Sequence, residues 1–353
     1  MTDIAILLKS CHGTNVVPLQ HTPTKGAPMS TPDYGDMNLH AIGAIMHNLV
    51  RDAIVYIRRN RTHFNVHTKP DKDGKSHGDV YTNVDAEAQL LYVNTLRNCF
   101  PSGYGILAEE NDPRLEVLPK SPFYFSIDPI DGTKAFIRRQ SHGITSMISL
   151  SHEDTVIASY IGDVMTQEVY GFHAALPRAY RYYPDNTPEE LRVVENKSLR
   201  DQILLLEGQP YECSSLTRMM AADPKSVGLF RKMEINSGGI GFCMARLWKG
   251  EAGAMLLTPS LEAPWDFNPV LGISKKMGFV FIDITADGSA EEKNMPSLPE
   301  TVYRHHELLI IHRSRLTEYL AWHKNIQNIQ RALLGFDPRS DNAPPPGGIT
   351  IST

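Results

Sequence analysis

The segment FSIDPIDGTKAF, residues 125–136, places Asp128 and Asp131 three apart and follows them with Gly132 and Thr133. Pro129 between the two acids predicts a turn. On a tight turn, carboxylates at this spacing can point to the same side. Gly132 admits dihedrals that other residues avoid, so a ligand can come close to the backbone. A helix starting here would present free N–H groups to an anion. Paired carboxylates beside such a helix start suit Mg²⁺ and a phosphoryl group. Mg²⁺ is a hard ion that takes oxygen ligands, commonly one or two carboxylates plus substrate phosphate. Taken alone, Asp-x-x-Asp-Gly is equally often a capped turn. Other acids tip the balance. LAEEND puts Glu109 and Glu110 at the end of a predicted strand, with Asp128 19 residues further on. If the two strands are sheet neighbours, Glu109 and Asp128 meet at one edge; otherwise such an acidic pair is usually solvated. PWDF supplies Asp266 at a predicted helix start. There it could equally be an N-cap, with Trp265 in the core or in a hydrophobic staple.

Other clusters carry less. SGGIGFC, residues 237–243, lies between a predicted strand and a predicted helix but does not fit G-x-G-x-x-G. It reads as a pocket-lining turn or as close helix packing. His63 and His67 border a loop and His305-His306 form a polar turn; without a cysteine or a clustered carboxylate, no zinc site is expected. There is no G-x-S-x-G elbow and no P-loop. Arg58, Arg59 and Arg61 read as a helix-end complement to the dipole and a solvated face.

These residues need elements to hold them. Leu39, Ile42, Met46, Leu49, Ala53, Ile54 and Ile57 recur at helical steps, with Asp36 as a candidate cap. Residues 66–78 read as a loop. A second helix is expected from Asp85, with Asp85 as its N-cap. GILA (105–108) and FYFSI (123–127) read as strands. ITSMISL (144–150), TVIASYI (155–161) and QEVYGF (167–172) read as an antiparallel meander. RYYPDNTPEE (181–190) is polar and is taken as the internal boundary. Strands and helices then alternate, as in mixed α/β layers with helices covering a sheet. The division that results is a loose leader (1–36), an N-terminal α+β metal and phosphate domain (37–185), a C-terminal α/β substrate domain (186–335) and a disordered tail (336–353).

The chain has 353 residues, 41% of them hydrophobic and 21% charged, the balance of an ordinary globular protein of about two domains. A net charge of −5 argues against a nucleic-acid binder. No apolar run approaches the ~20 residues needed to span a bilayer. MTDIAILLKSC lacks the basic start and cleavage site of a signal peptide. Cys11, Cys99, Cys213 and Cys243 are scattered, as in a reduced, cytoplasmic protein.

Taken together, these motifs resemble the inositol monophosphatase superfamily, which includes fructose-1,6-bisphosphatase, histidinol-phosphate phosphatase and 3′(2′),5′-bisphosphate nucleotidase. The matching residues are Ala108-Glu109-Glu110, the run Asp128 to Thr133, Trp265-Asp266, and an upstream set of Lys75, Ser76, Asp79, Thr82 and Asp85. The resemblance implies a layered α/β/α/β/α sandwich. It implies two or three Mg²⁺ ions held by Glu109, Asp128, the Ile130 main-chain carbonyl, Asp131 and Asp266. Thr133, with Asp85 behind it and Glu109 nearby, would activate the attacking water. Gly132 and Thr133 would hold the phosphate through their N–H groups, and Gly239 and Ile240 would line the substrate pocket. It also implies lithium sensitivity, a homodimer, and a small phosphate ester as substrate, inositol monophosphate-like, with histidinol phosphate or a 3′(2′),5′-bisphosphate nucleotide as alternatives. Two departures concern the substrate side. Residues 173–186, HAALPRAYRYYPDN, lack the family's Gly-rich turn, and Phe267-Asn268-Pro269 replaces the small residues that usually follow Trp-Asp. The altered turn is also the one motive for a non-catalytic family member.

Overall fold

The computed structural model describes residues 38–69, 80–100, 103–110, 121–193 and 197–334. The expected leader and tail, Asp36, and Lys75, Ser76 and Asp79 lie outside the described residues. The first helix, α1 (Leu39–Arg59), buries Ile42, Met46, Leu49, Val50, Ala53, Ile54 and Ile57 on one face, as its three- and four-residue spacing requires. Asn38 caps it, accepting from the Ala41 N–H at 3.0 Å. A short ribbon of β1 (Val66–Thr68) and β2 (Val80–Thr82) leads into α2 (Asn83–Cys99). The N-cap of α2 is Thr82, and Asp85 is the third residue of its capping box rather than the cap itself.

A seven-stranded sheet follows: β3 (Gly105–Ala108), β4 (Phe123–Asp131), β5 (Thr145–His152), β6 (Thr155–Asp163), β7 (Val169–His173), β8 (Tyr180–Tyr182) and β9 (Pro188–Glu190), in that order across the sheet. Only β3 and β4 run parallel; the rest form an antiparallel meander. The short helix α3 (Thr133–Ile137) interrupts the chain between β4 and β5. The polar stretch 181–190 carries most of β8, the turn and β9 of the hairpin that completes this sheet. An edge strand has one side toward solvent and tolerates Pro188, so its sequence carries no buried alternation.

The second sheet has six strands in the order β11 (Lys232–Ile235), β10 (Ile203–Leu206), β12 (Ala254–Leu257), β17 (Glu307–His312), β14 (Phe279–Ile284) and β15 (Ala290–Lys293). A further ribbon pairs β13 (Ser260–Glu262) with β16 (Val302–Arg304). Along β10, Ile203 and Leu205 enter one core while Leu204 and Leu206 enter another, because both faces of this sheet are covered. Helices α5 (Ile240–Trp248) and α6 (Pro264–Met277) lie between the two sheets. On the outer face of the second sheet sit α4 (Ser215–Met220) and α7 (Leu316–Leu334); α1 and α2 cover the outer face of the first. The order is therefore helix, sheet, helix, sheet, helix, the expected α/β/α/β/α sandwich. Arg61, expected to be solvated, donates to the Arg139 and Gln140 carbonyls at 3.0 and 2.8 Å and ties the end of α1 to the segment after α3. Among the described residues no helix is long and apolar enough to cross a membrane.

Candidate metal centre

Residues three apart on a regular strand face opposite ways. Asp128 and Asp131 escape this through a bulge. Asp128 stands opposite Met147 and Asp131 opposite Thr145, so three steps on β4 match two on β5. The extra residue shifts the alternation by one and brings both carboxylates to one side. Pro129 sits inside the bulge, where its missing N–H costs no ladder bond. The strand thus continues past Pro129, and the expected turn comes later, at Gly132, whose φ of 89° is left-handed. A Cβ on Gly132 would lie 2.2 Å from the Gly143 carbonyl, so glycine is required there on both counts.

Two other elements bring acids to the same place. The parallel pairing of β3 with β4 puts Glu109 just beyond Ala108, and its N–H donates to the Ile127 carbonyl at 3.2 Å. Glu109 and Asp128 therefore meet at one edge of the sheet. Asp266 is the third residue of α6, which starts after Ala263 with Pro264 in its first turn. Asp266 does not cap its own helix, whose N-cap is Ala263; its carboxylate instead turns toward Asp128 and Asp131. Carboxylate oxygens of Asp128, Asp131 and Asp266 all lie within 4.8 Å of one another. Burial, then the charge of Glu109, pushes the Asp128 and Asp266 carboxyls well above the usual range. Burial raises Asp131 to about 6, against the hydrogen bonds from Thr145, Gly241 and Ile240. Asp128 Oδ1 is buried and accepts no hydrogen bond. Lys69, just after β1, lies 2.6 Å from Glu109 and 3.2 Å from Glu110; burial opposes its charge, and the two acids outweigh it and keep it protonated. Clustered buried carboxylates with an orphaned oxygen fit a hard divalent cation, which would supply the charge and the lone-pair acceptor they lack.

Beside the acids, the Thr133 hydroxyl lies 3.1 Å from Asp85 Oδ1 and 2.9 Å from the Ile130 carbonyl, and its proton can go to either. Asp85 Oδ2 accepts from the Thr82 N–H at 2.9 Å and from the Thr82 hydroxyl. The helix cap therefore also fixes Asp85 toward Thr133. Burial raises Asp85 to about 6. A recess of about 360 Å³ opens at Gly132 and Thr133 and is lined further by Lys134, Arg138, Ser237 and Gly238. Gly239 and Ile240, expected to line the substrate pocket, follow Gly238 and stand against the acids, a Cβ on Gly239 falling 2.2 Å from the Asp131 carboxylate. Gly239 donates to the Gly143 carbonyl at 3.0 Å, and Ile240 donates to Asp131 Oδ1 at 2.9 Å.

The sequence model of the inositol monophosphatase family matches residues 38–324, most of the chain. The chain belongs to the inositol monophosphatase family. It is 30% identical over 99 residues to the 3′(2′),5′-bisphosphate nucleotidase CysQ of Escherichia coli (strain K12), which covers 28% of this chain and 40% of that protein. It is 33% identical over 96 residues to the Nus factor SuhB of Vibrio cholerae, covering 27% and 34%. The matched stretch is thus less than half the length of either relative. A Thermotoga maritima IMPase superposes with a TM-score of 0.58 at 18% identity, covering 82% of this chain and 99% of that one. An IMPase/NADP phosphatase solved with Mg²⁺ and phosphate superposes with a TM-score of 0.59 at 17% identity, covering 81% and 96%. At these identities the likeness is one of fold.

Three residues around the centre of this inositol monophosphatase family chain carry no motif signal. Lys69 reaches Glu109 across 40 positions. The Gln89 side chain closes two bonds with the Glu110 backbone, at 2.7 and 2.8 Å. Thr145 donates to Asp131. Gln89 and Thr145, polar residues fully buried in a helix and a strand, leave that burial as their one local hint, and it does not name a partner; Lys69, partly exposed just after β1, leaves none.

Proposed function

We propose that this chain is a Mg²⁺-dependent phosphomonoesterase acting on a small polar phosphate ester, inositol monophosphate-like. The convergence of Asp128, Asp131 and Asp266 beside the Thr133–Asp85 pair carries the reading. On it, Glu109, Asp128, the Ile130 carbonyl, Asp131 and Asp266 hold two or three Mg²⁺ ions. When bound, such ions lower the pKa of water and neutralise charge on the phosphoryl oxygens. Thr133 gives its hydroxyl proton to the hydrogen bond with Asp85, which leaves an oxygen lone pair to accept from the attacking water. Glu109, held by Lys69, completes the catalytic group. The N–H groups of Gly132 and Thr133 receive the phosphate. Gly239 and Ile240 line the substrate pocket, next to Ser237 and Gly238 of the recess. A homodimer, a cytoplasmic setting and lithium sensitivity belong to the same proposal.

A second reading keeps the chemistry and changes the substrate. Lys134 and Arg138 line the recess that holds Gly132 and Thr133, which favours a substrate with a second phosphate, such as a 3′(2′),5′-bisphosphate nucleotide. Phosphate release from inositol-1-phosphate, histidinol phosphate, adenosine 3′,5′-bisphosphate and fructose-1,6-bisphosphate, with and without Mg²⁺, separates the two. Asp131→Asn is expected to lose at least ~10²-fold in kcat/KM on whichever ester is hydrolysed. Full activity in that variant would overturn the assignment, and an absence of Mg²⁺-dependent release from all four esters would favour a binding role for the fold.

A further inference from the structure

We infer that Thr145 is a positioning residue that sets how tightly the centre binds its divalent ions, by holding the Asp131 carboxylate in one orientation. Asp131 comes from the end of β4, and its side chain is gripped from two elements outside its own strand. From the first turn of α5, Ile240 donates to Oδ1 at 2.9 Å and Gly241 donates to Oδ2 at 2.8 Å. From β5, the Thr145 hydroxyl also donates to Oδ2. A carboxylate offers about four lone-pair sites. Three are taken, so one is left, and its direction is dictated by the three donors. Thr145 is fully buried directly opposite Asp131 in the strand register, so its hydroxyl can neither swing away to water nor be replaced by it. The fit is close on every side. A Cβ on Gly239 would lie 2.2 Å from the Asp131 carboxylate, and one on Gly241 would lie 2.5 Å from the Thr145 hydroxyl. The two backbone donors survive any side-chain change, whereas the Thr145 donor depends on the residue type. Removing a partner that orients a metal-binding side chain typically costs 10–100-fold in metal affinity or activity.

This inference rests on the reading of the acidic cluster as a divalent-ion site. Its test is Mg²⁺ binding to the purified full chain by calorimetry, with no substrate present. Thr145→Val keeps the branched shape and deletes the hydroxyl; its Mg²⁺ dissociation constant is expected to rise ~10–100-fold over wild type. Thr145→Ser restores the hydroxyl and is expected to return the constant close to the wild-type value, a rescue that a purely packing role would not produce. If the valine variant does not fold, Thr145→Ala, which adds no atom to the strand, replaces it in the same comparison. Wild-type affinity in the valine or alanine variant overturns the role of Thr145 and leaves the ion site standing. A serine variant as weak as valine overturns it too. No Mg²⁺ binding in wild type overturns both.

Discussion

Asp128 shows what the acidic cluster costs when nothing neutralises it. It is buried, its Oδ1 has no hydrogen-bond partner, and Glu109, Asp266 and Asp131 all face it. Removing a carboxylate from water without a partner is unfavourable, so the group holds its proton far above the usual pH. A carboxyl raised on folding contributes stability below its unfolded pKa, near 4, and loses it as the pH climbs through the folded value. Asp128→Asn removes that loss. In chelator, the variant is expected to melt above wild type, with a gap that is smallest near pH 4 and widens as the pH is raised. In Mg²⁺ the order is expected to narrow or reverse, because the asparagine gives up a charged ligand. Thermal melts over that pH range check both halves, and a gap that shrinks with rising pH would contradict the burial argument.

The bulge and the turn after β4 decide where these side chains point. Gly132 combines a φ of 89° with a Cβ position 2.2 Å from the Gly143 carbonyl. Gly143 in turn has a φ of 83° and packs against Gly238. Three glycines from three segments thus allow α3 and the start of α5 to approach the end of β4. Gly132→Ala forces both a left-handed alanine and a backbone displacement. It is expected to cost roughly 2 kcal/mol or more of stability, read from the urea midpoint. Gly103, at a φ of 84° with nothing within 4 Å of its Cβ position, is the control: Gly103→Ala carries only the backbone strain and is expected to cost about 1 kcal/mol.

At the scale of the molecule, the centre draws on two layers. Asp128 and Asp131 belong to the seven-stranded sheet, Glu109 follows its edge strand, and Asp266 and the Asp131-gripping amides belong to the helices between the sheets. Those helices pack on both sheets, so a bound ion joins the first half of the chain to the second. Any ligand that binds only the folded state stabilises it by mass action. Mg²⁺ at one hundred times its dissociation constant is expected to add about 2.7 kcal/mol per site, seen as a shift of the whole unfolding transition in calorimetry. A shift confined to one of two separate transitions would show that the layers unfold independently.

Much of this was legible along the chain because it is written locally. The stripe of α1, the meander β5–β7 and the order of the acidic motifs follow from periodicity and short spacing, which burial of one face imposes residue by residue. Glu109 and Asp128 could be paired in advance on the condition that their strands are neighbours. The rest depended on distance. The side Asp131 faces hangs on a one-residue bulge set by pairing with β5, which no spacing rule reports. The donors that hold it come from Gly241, 110 positions away, and from a threonine that looks like any other strand residue. The edge hairpin at 181–190 was hidden for the opposite reason, since half-solvated strands carry little burial pattern to read. Contacts across many residues are chosen by packing, and packing exists only once the chain has folded.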